Sequence, residues 1–128
     1  MSMIQEPKKN QSGWKPFVSA FTGLKTIFNN ERNFRIHLLF AVLALLACLI
    51  FHVTASEWIA VLLLISIVLC AEVVNTCIEY MCDLINPHFD PNIKKIKDIA
   101  AASVLICAIV AIIAGCIIFI PYLLDIFL

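Results

Sequence analysis

The sequence predicts an all-α integral membrane protein, with one amphipathic helix on the membrane surface followed by three transmembrane helices. Three observations carry that expectation. First, 62% of the 128 residues are hydrophobic and 14% are charged, against roughly 45–50% and 25% in soluble domains. A chain this short buries only a modest share of its surface, so its solvent has to be lipid. Second, uncharged stretches recur three times, each long enough for a crossing of about 20 residues. Third, the charges are segregated: six of the nine Lys and Arg precede residue 36, and the others are Lys94, Lys95 and Lys97. With a formal net charge of zero, there is no global basic field for nucleic acid, which is not an expected partner.

The elements follow in chain order. Residues 1–14, MSMIQEPKKNQSGW, read as a polar tail without the apolar core of a signal peptide. Residues 15–128 read as one membrane-embedded domain. Within about 15–30, Phe17, Phe21, Leu24 and Phe28 recur at helical spacing among Lys15, Ser19, Thr22, Lys25, Thr26 and Asn29. That segment is too short and polar to span, and is expected to lie in the bilayer surface, apolar side down. Spans are expected at about 33–52, 56–83 and 92–120, with Pro91 just before the last and Pro121 at its fraying end. The first connection, HVTAS, has no Lys or Arg, whereas NPHFDPNIKKIKD has three Lys. Basic loops stay in the cytoplasm, so the N-terminus and second connection are expected there, in a bacterial plasma membrane. The six cysteines include no Cys-x-x-Cys pair, and read as small packing residues.

The middle span ends in AEVVNTCIEYMCD, residues 71–83. At 100° per residue Glu72, Glu79 and Asp83 fall at about 0°, −20° and +20°, with Asn75 near −60°. Ionisable groups inside a membrane segment are costly and mark functional candidates. Structural alternatives stand beside that reading: Asp83 as a solvated helix-end charge, Asn75 as an interhelical packing group. At the same depth ERNFRIH, residues 31–37, supplies Glu31, Arg32, Asn33 and Arg35. Snorkelling anchors are the default for the two arginines, but that role does not suit Glu31. Across the second loop Lys94, Lys97 and Asp98 share one side of the third span. Lys94 and Lys95 read as a basic interfacial cluster, and Lys97 beside Asp98 as the candidate for chemistry. Carboxylates from three segments plus a lysine suit a magnesium-bridged polyphosphate. With glycine only at 13, 23 and 115, a glycine-rich phosphate loop is excluded.

The pattern Glu72-x-x-Asn75-Thr76-x-Ile78-Glu79-x-x-x-Asp83, followed by Lys97-Asp98 and an Ala-rich helix start, resembles the prokaryotic diacylglycerol kinase family. Glu31, Asn33, Phe34 and Arg35, preceded by Gly23-Leu24, match a second block of that family, and the resemblance covers about residues 17–120. It implies a membrane lipid kinase assembled as a homotrimer, moving the γ-phosphate of ATP to a lipid alcohol, diacylglycerol or undecaprenol. It further implies Glu31 and Glu79 as Mg²⁺ ligands and, with Lys97 and Asp98, as ATP contacts. Glu72 would be the general base, Asn75 would orient Glu72 or the substrate with Asp83 in a supporting place, and Asn33, Arg35 and Glu72 would be the lipid contacts. A nine-helix bundle would shield the polar stripe, which three helices alone are not expected to enclose. Seven residues before the Lys of Lys-Asp the family commonly has His, where this chain has Asp90, with His88 two positions earlier. His37 matches the undecaprenol-type branch and leans the substrate towards a polyprenol.

Two other classes compete. A small transporter or channel subunit would line an ion path with Glu72 and Glu79. They stand about 22 Å and 33 Å along the helix from Glu57, however, and the neighbouring spans carry no intramembrane charge. A non-catalytic assembly protein explains the apolar helices but leaves the convergence of Glu31, Glu79 and Lys97 without a reason.

Overall fold

The computed structural model of the chain describes residues 13–128. Among these are four α-helices: α1 (Lys15–Asn30), α2 (Arg32–Phe51), α3 (Ala55–Ile85) and α4 (Pro91–Phe127). Residues 1–12 of the expected polar tail, and with them most of the stretch read as lacking a signal peptide, lie outside the described residues. Helices α2, α3 and α4 are each long and apolar enough to cross a membrane. Their 20, 31 and 37 residues give lengths of about 30, 46 and 55 Å. A hydrocarbon core is about 30 Å thick, so α3 and α4 must extend past it.

Helix α1 is the short, amphipathic one. Phe17, Phe21, Leu24 and Phe28 are all exposed in the chain, and Ile27 is the helix's one buried residue. An exposed aromatic row of this kind, with Trp14 tilted against Phe17 at its start, suits the apolar edge of a bilayer and not water.

Turn chemistry sets where each span begins and ends. His52 closes α2 in the left-handed region (φ 51°, ψ 48°), and the Val53 amide reaches back to the Cys48 carbonyl at 3.3 Å. This is how an αL residue satisfies the last carbonyls of a helix. Thr54 then opens α3 with a capping box: its hydroxyl accepts from the Glu57 amide, and Glu57 accepts from the Thr54 amide. At the other end the chain turns within residues 86–90, so Lys94, Lys95 and Lys97 stand in the first turns of α4. The Asp90 carboxylate caps that helix, accepting from Asn92 at 2.7 Å and Ile93 at 3.3 Å, ahead of Pro91.

Pro121 departs from expectation. It does not mark a fraying end; α4 runs through it to Phe127. A proline removes one intrahelical donor, but this turn is fastened from outside. Phe51 stacks on Tyr122 and tilts against Phe119, and the Tyr122 hydroxyl donates to Glu57 at 2.7 Å. Tertiary contacts therefore outweigh the lost backbone bond.

Helix α3 is the centre of the bundle, making its largest interface with α4 and a smaller one with α2. Cys48, Val53 and Val61 form a core cluster against Ala44, Trp58, Ile65, Ile118 and Phe119. Ala41, Ala100, Val68 and Val104 are buried as well. Small side chains at these contacts let the backbones approach, which is how helices associate in lipid, where the hydrophobic effect offers no drive between them.

Candidate active site

The polar end of α3 is held between α2, α4 and the α1–α2 elbow. The elbow is made by one residue: Glu31, with extended dihedrals (φ −107°, ψ 110°), ends α1 and begins α2. Its amide still donates to Ile27 at 2.8 Å, and its carbonyl accepts from Arg35 at 3.4 Å. The Arg35 guanidinium turns back to the carbonyls of Phe28 and Asn29, at 2.8 and 3.0 Å. A cation on the last carbonyls of a helix opposes its dipole and satisfies orphan acceptors. Arg35 is thus engaged in shaping the elbow, while Asn33 and Arg32 are exposed and Phe34 is buried beneath them.

On α3 the stripe sinks towards the bundle interior. Glu72, Asn75 and Thr76 are only 3%, 5% and 4% exposed. Within one chain the packing around α3 covers Glu72, Asn75 and Thr76 but leaves the rest of the stripe unenclosed. Further along, Glu79 is half-buried and Asp83 exposed, so the stripe runs from a dry end to an open one. His37, on α2, lines the apolar groove that runs along α3.

Hydrogen bonds orient the acids one by one. Asn75 donates from Nδ2 to Glu79 Oε1 at 3.3 Å, so the amide supports Glu79 rather than Glu72. Tyr80 donates its hydroxyl to Glu31 Oε1 at 3.0 Å, joining α3 to the elbow. Two buried oxygens, Asn75 Oδ1 and Thr76 Oγ1, have no partner among the described residues. Orphaned buried polar atoms are uncommon and ask for a reason such as a ligand or a catalytic role.

On the far side, Lys97 donates to Asp83, while Asp98 pairs with Lys94 at 2.6 Å. The two residues of Lys97-Asp98 therefore face different partners. Asp83, Lys94 and Lys97 border an open cavity of about 350 Å³ with Asn86, His88 and Phe89 of the α3–α4 turn. Asp90, at the position where the family commonly has His, is taken up in capping α4. An apolar groove of about 340 Å³ opens next to His37 and Ile36 and runs between α2, α3 and α4 to Gly115 and Phe119.

These residues fit a hard divalent cation. Glu31 and Glu79 each have Oε1 held by a neutral donor, and their Oε2 atoms have no hydrogen-bond partner among the described residues. Among the described residues no group of three or more His, Cys, Asp or Glu could hold a metal unaided. Mg²⁺ is commonly bound in just this way, by one or two carboxylates completed by substrate phosphates and water. Of the residues expected from sequence, Glu79 takes a hydrogen bond from Asn75 and Glu31 takes one from α3, while Glu72 lies buried one turn before Asn75. Tyr80, Thr76 and the positional role of His37 were missed, and the 100° periodicity that placed Glu72 also puts Thr76 about 40° away.

Comparison with known proteins agrees with this geometry. The family model described as prokaryotic diacylglycerol kinase matches residues 18–119. The undecaprenol kinase of Bacillus subtilis (strain 168) is 36% identical over 110 residues, covering 86% of this chain and 89% of the relative. A diacylglycerol kinase of Synechocystis sp. is 37% identical over 111 residues, 85% of this chain but 63% of that longer protein. The diacylglycerol kinase of Escherichia coli (strain K12) is 29% identical over 112 residues, 84% and 92% of the two chains. A helical chain with three long apolar spans, matched over residues 18–119, belongs to the prokaryotic diacylglycerol kinase family of membrane lipid kinases.

Proposed function

We propose that this protein moves the γ-phosphate of MgATP to the hydroxyl of a membrane lipid alcohol, undecaprenol ahead of diacylglycerol. One observation carries the reading: Glu72 is buried at 3% exposure on the stretch of α3 whose next turns orient Glu79 through Asn75 and Glu31 through Tyr80. A base meant for a lipid hydroxyl belongs at the dry end of the stripe, and the ligands of a water-borne nucleotide belong at the open end. The order of substrates is supported by His37 and by the similarity to an undecaprenol kinase over 89% of its length.

In the mechanism, the lipid lies with its chain in the apolar groove beside His37 and its hydroxyl at Glu72. Glu72 takes the hydroxyl proton as the oxygen attacks the γ-phosphorus in line. The new O–P bond forms as the bond to the ADP oxygen breaks, and ADP returns to water. Mg²⁺, held by Glu31 and Glu79, would supply charge neutralisation across the phosphates. Asn75 keeps Glu79 turned towards the nucleotide, and Lys97, steadied by Asp83, offsets charge on the group in transit. Arg35 contributes by fixing the elbow that presents Glu31. The basic first turns of α4 support a cytoplasmic position for this end.

A homotrimer completes the proposal. The nucleotide end, with half-buried Glu79 and exposed Asp83 and Tyr80, lacks a wall in one chain, and a second copy would supply it. The activity is tested in detergent with γ-labelled ATP, Mg²⁺ and either undecaprenol or diacylglycerol. Label is expected in the organic phase, faster with undecaprenol, and to vanish with EDTA. No transfer to any lipid alcohol contradicts the proposal.

A further inference from the structure

Tyr80 stands out among side chains that the mechanism does not yet use. It follows Glu79 on α3, yet its hydroxyl reaches across 49 positions of sequence to Glu31 Oε1 at 3.0 Å. Glu31 needs such a tether. It sits at the single non-helical residue between α1 and α2, where side-chain direction follows the backbone of a hinge rather than a helix. Arg35 fixes the α1 side of that hinge through the Phe28 and Asn29 carbonyls, but nothing on α1 or α2 holds the carboxylate itself among the described residues. The bond runs to α3, the element that also carries Glu79.

We propose that Tyr80 is a positioning residue for phosphoryl transfer. It holds one oxygen of Glu31 so that the other is presented to the divalent cation, on the same side as Glu79. The inference rests on the reading of Glu31 and Glu79 as the cation's ligands. It gives Glu31 and Glu79 matching supports, a phenol for one and the Asn75 amide for the other. Each leaves one oxygen free, so both acids would bind the cation through a single oxygen. Partners that orient a metal ligand typically contribute ten- to hundredfold to affinity or activity. Tyr80 is 40% exposed, so water competes for its hydroxyl and an effect of about tenfold is expected.

The test uses Tyr80→Phe, which removes the hydroxyl and keeps the ring, beside wild type and Glu31→Gln in detergent. Binding of the Mn²⁺ complex of β,γ-methylene-ATP is followed by the electron paramagnetic resonance signal of Mn²⁺. Thermal unfolding is recorded on the same samples, and the Mg²⁺ dependence of label transfer is measured in parallel. Support is about tenfold weaker Mn²⁺-nucleotide binding by Tyr80→Phe, with the Mg²⁺ requirement raised by a similar factor. Affinity equal to wild type, or a lowered unfolding midpoint with unchanged Mn²⁺ and Mg²⁺ dependence, overturns the Tyr80 role while leaving the site intact. If Glu31→Gln binds as tightly as wild type, the ligand assignment itself fails and the Tyr80 role goes with it.

Discussion

The two ends of α3 treat their carboxylates in opposite ways. At the start, Glu57 Oε2 accepts from the Thr54 amide, the Thr54 hydroxyl and the Tyr122 hydroxyl at 2.8, 2.9 and 2.7 Å. Those bonds work inside the fold, closing one turn and docking the end of α4. At the other end Glu72 is 3% exposed with no hydrogen bond from the described residues, on the same stretch of α3 as the orphaned buried oxygens of Asn75 and Thr76. An unsatisfied buried polar group costs about 1–3 kcal/mol, and a membrane interior offers no water to relieve it. The bonded acid at the start of α3 serves the architecture; the orphaned oxygens at its other end, kept despite their cost, are what the proposed site would use.

Substitutions at both ends sharpen that contrast. Glu79→Gln removes a proposed cation ligand, so transfer should fall at least about a hundredfold with the Mg²⁺ requirement raised. Titrating Mg²⁺ in the labelled-lipid assay measures both. Asn75→Ala leaves Glu79 without its donor, and a loss of about tenfold is expected. Helical content by circular dichroism should stay unchanged. Tyr122→Phe, at the architectural end, should keep kinase activity within about twofold while lowering the unfolding midpoint by a few degrees. A collapse of activity in Tyr122→Phe with the fold intact would break the division between the ends.

Much of this was open to sequence reasoning, for identifiable reasons. Apolar length and the absence of charge place the three spans, and a 3.6-residue period places Glu72, Asn75 and Glu79 on one stripe of α3. Neither depends on tertiary contacts. The pairings that finish the site do depend on them. Tyr80 beside a membrane interface is an ordinary residue until the fold carries it to Glu31, and Lys97 reads with its neighbour Asp98 until the turn at 86–90 brings it to Asp83. Arg35 resembles a lipid anchor in sequence, since only the elbow reveals the carbonyls of Phe28 and Asn29 as its acceptors. Pro121 shows the same limit from the other side: a local helix-breaking signal yields to Glu57 and Phe51, which lie some 65 to 70 positions earlier in the chain.

The central claim is that the dry end of α3 performs chemistry while the open end holds the nucleotide. Glu72→Gln tests it most directly when nucleotide binding and phosphate transfer are measured on one preparation. The account predicts Mn²⁺-nucleotide binding close to wild type and transfer to the lipid reduced by about 10²–10⁴-fold, the usual contribution of a positioned base. Transfer at the wild-type rate, with binding unchanged, would contradict it.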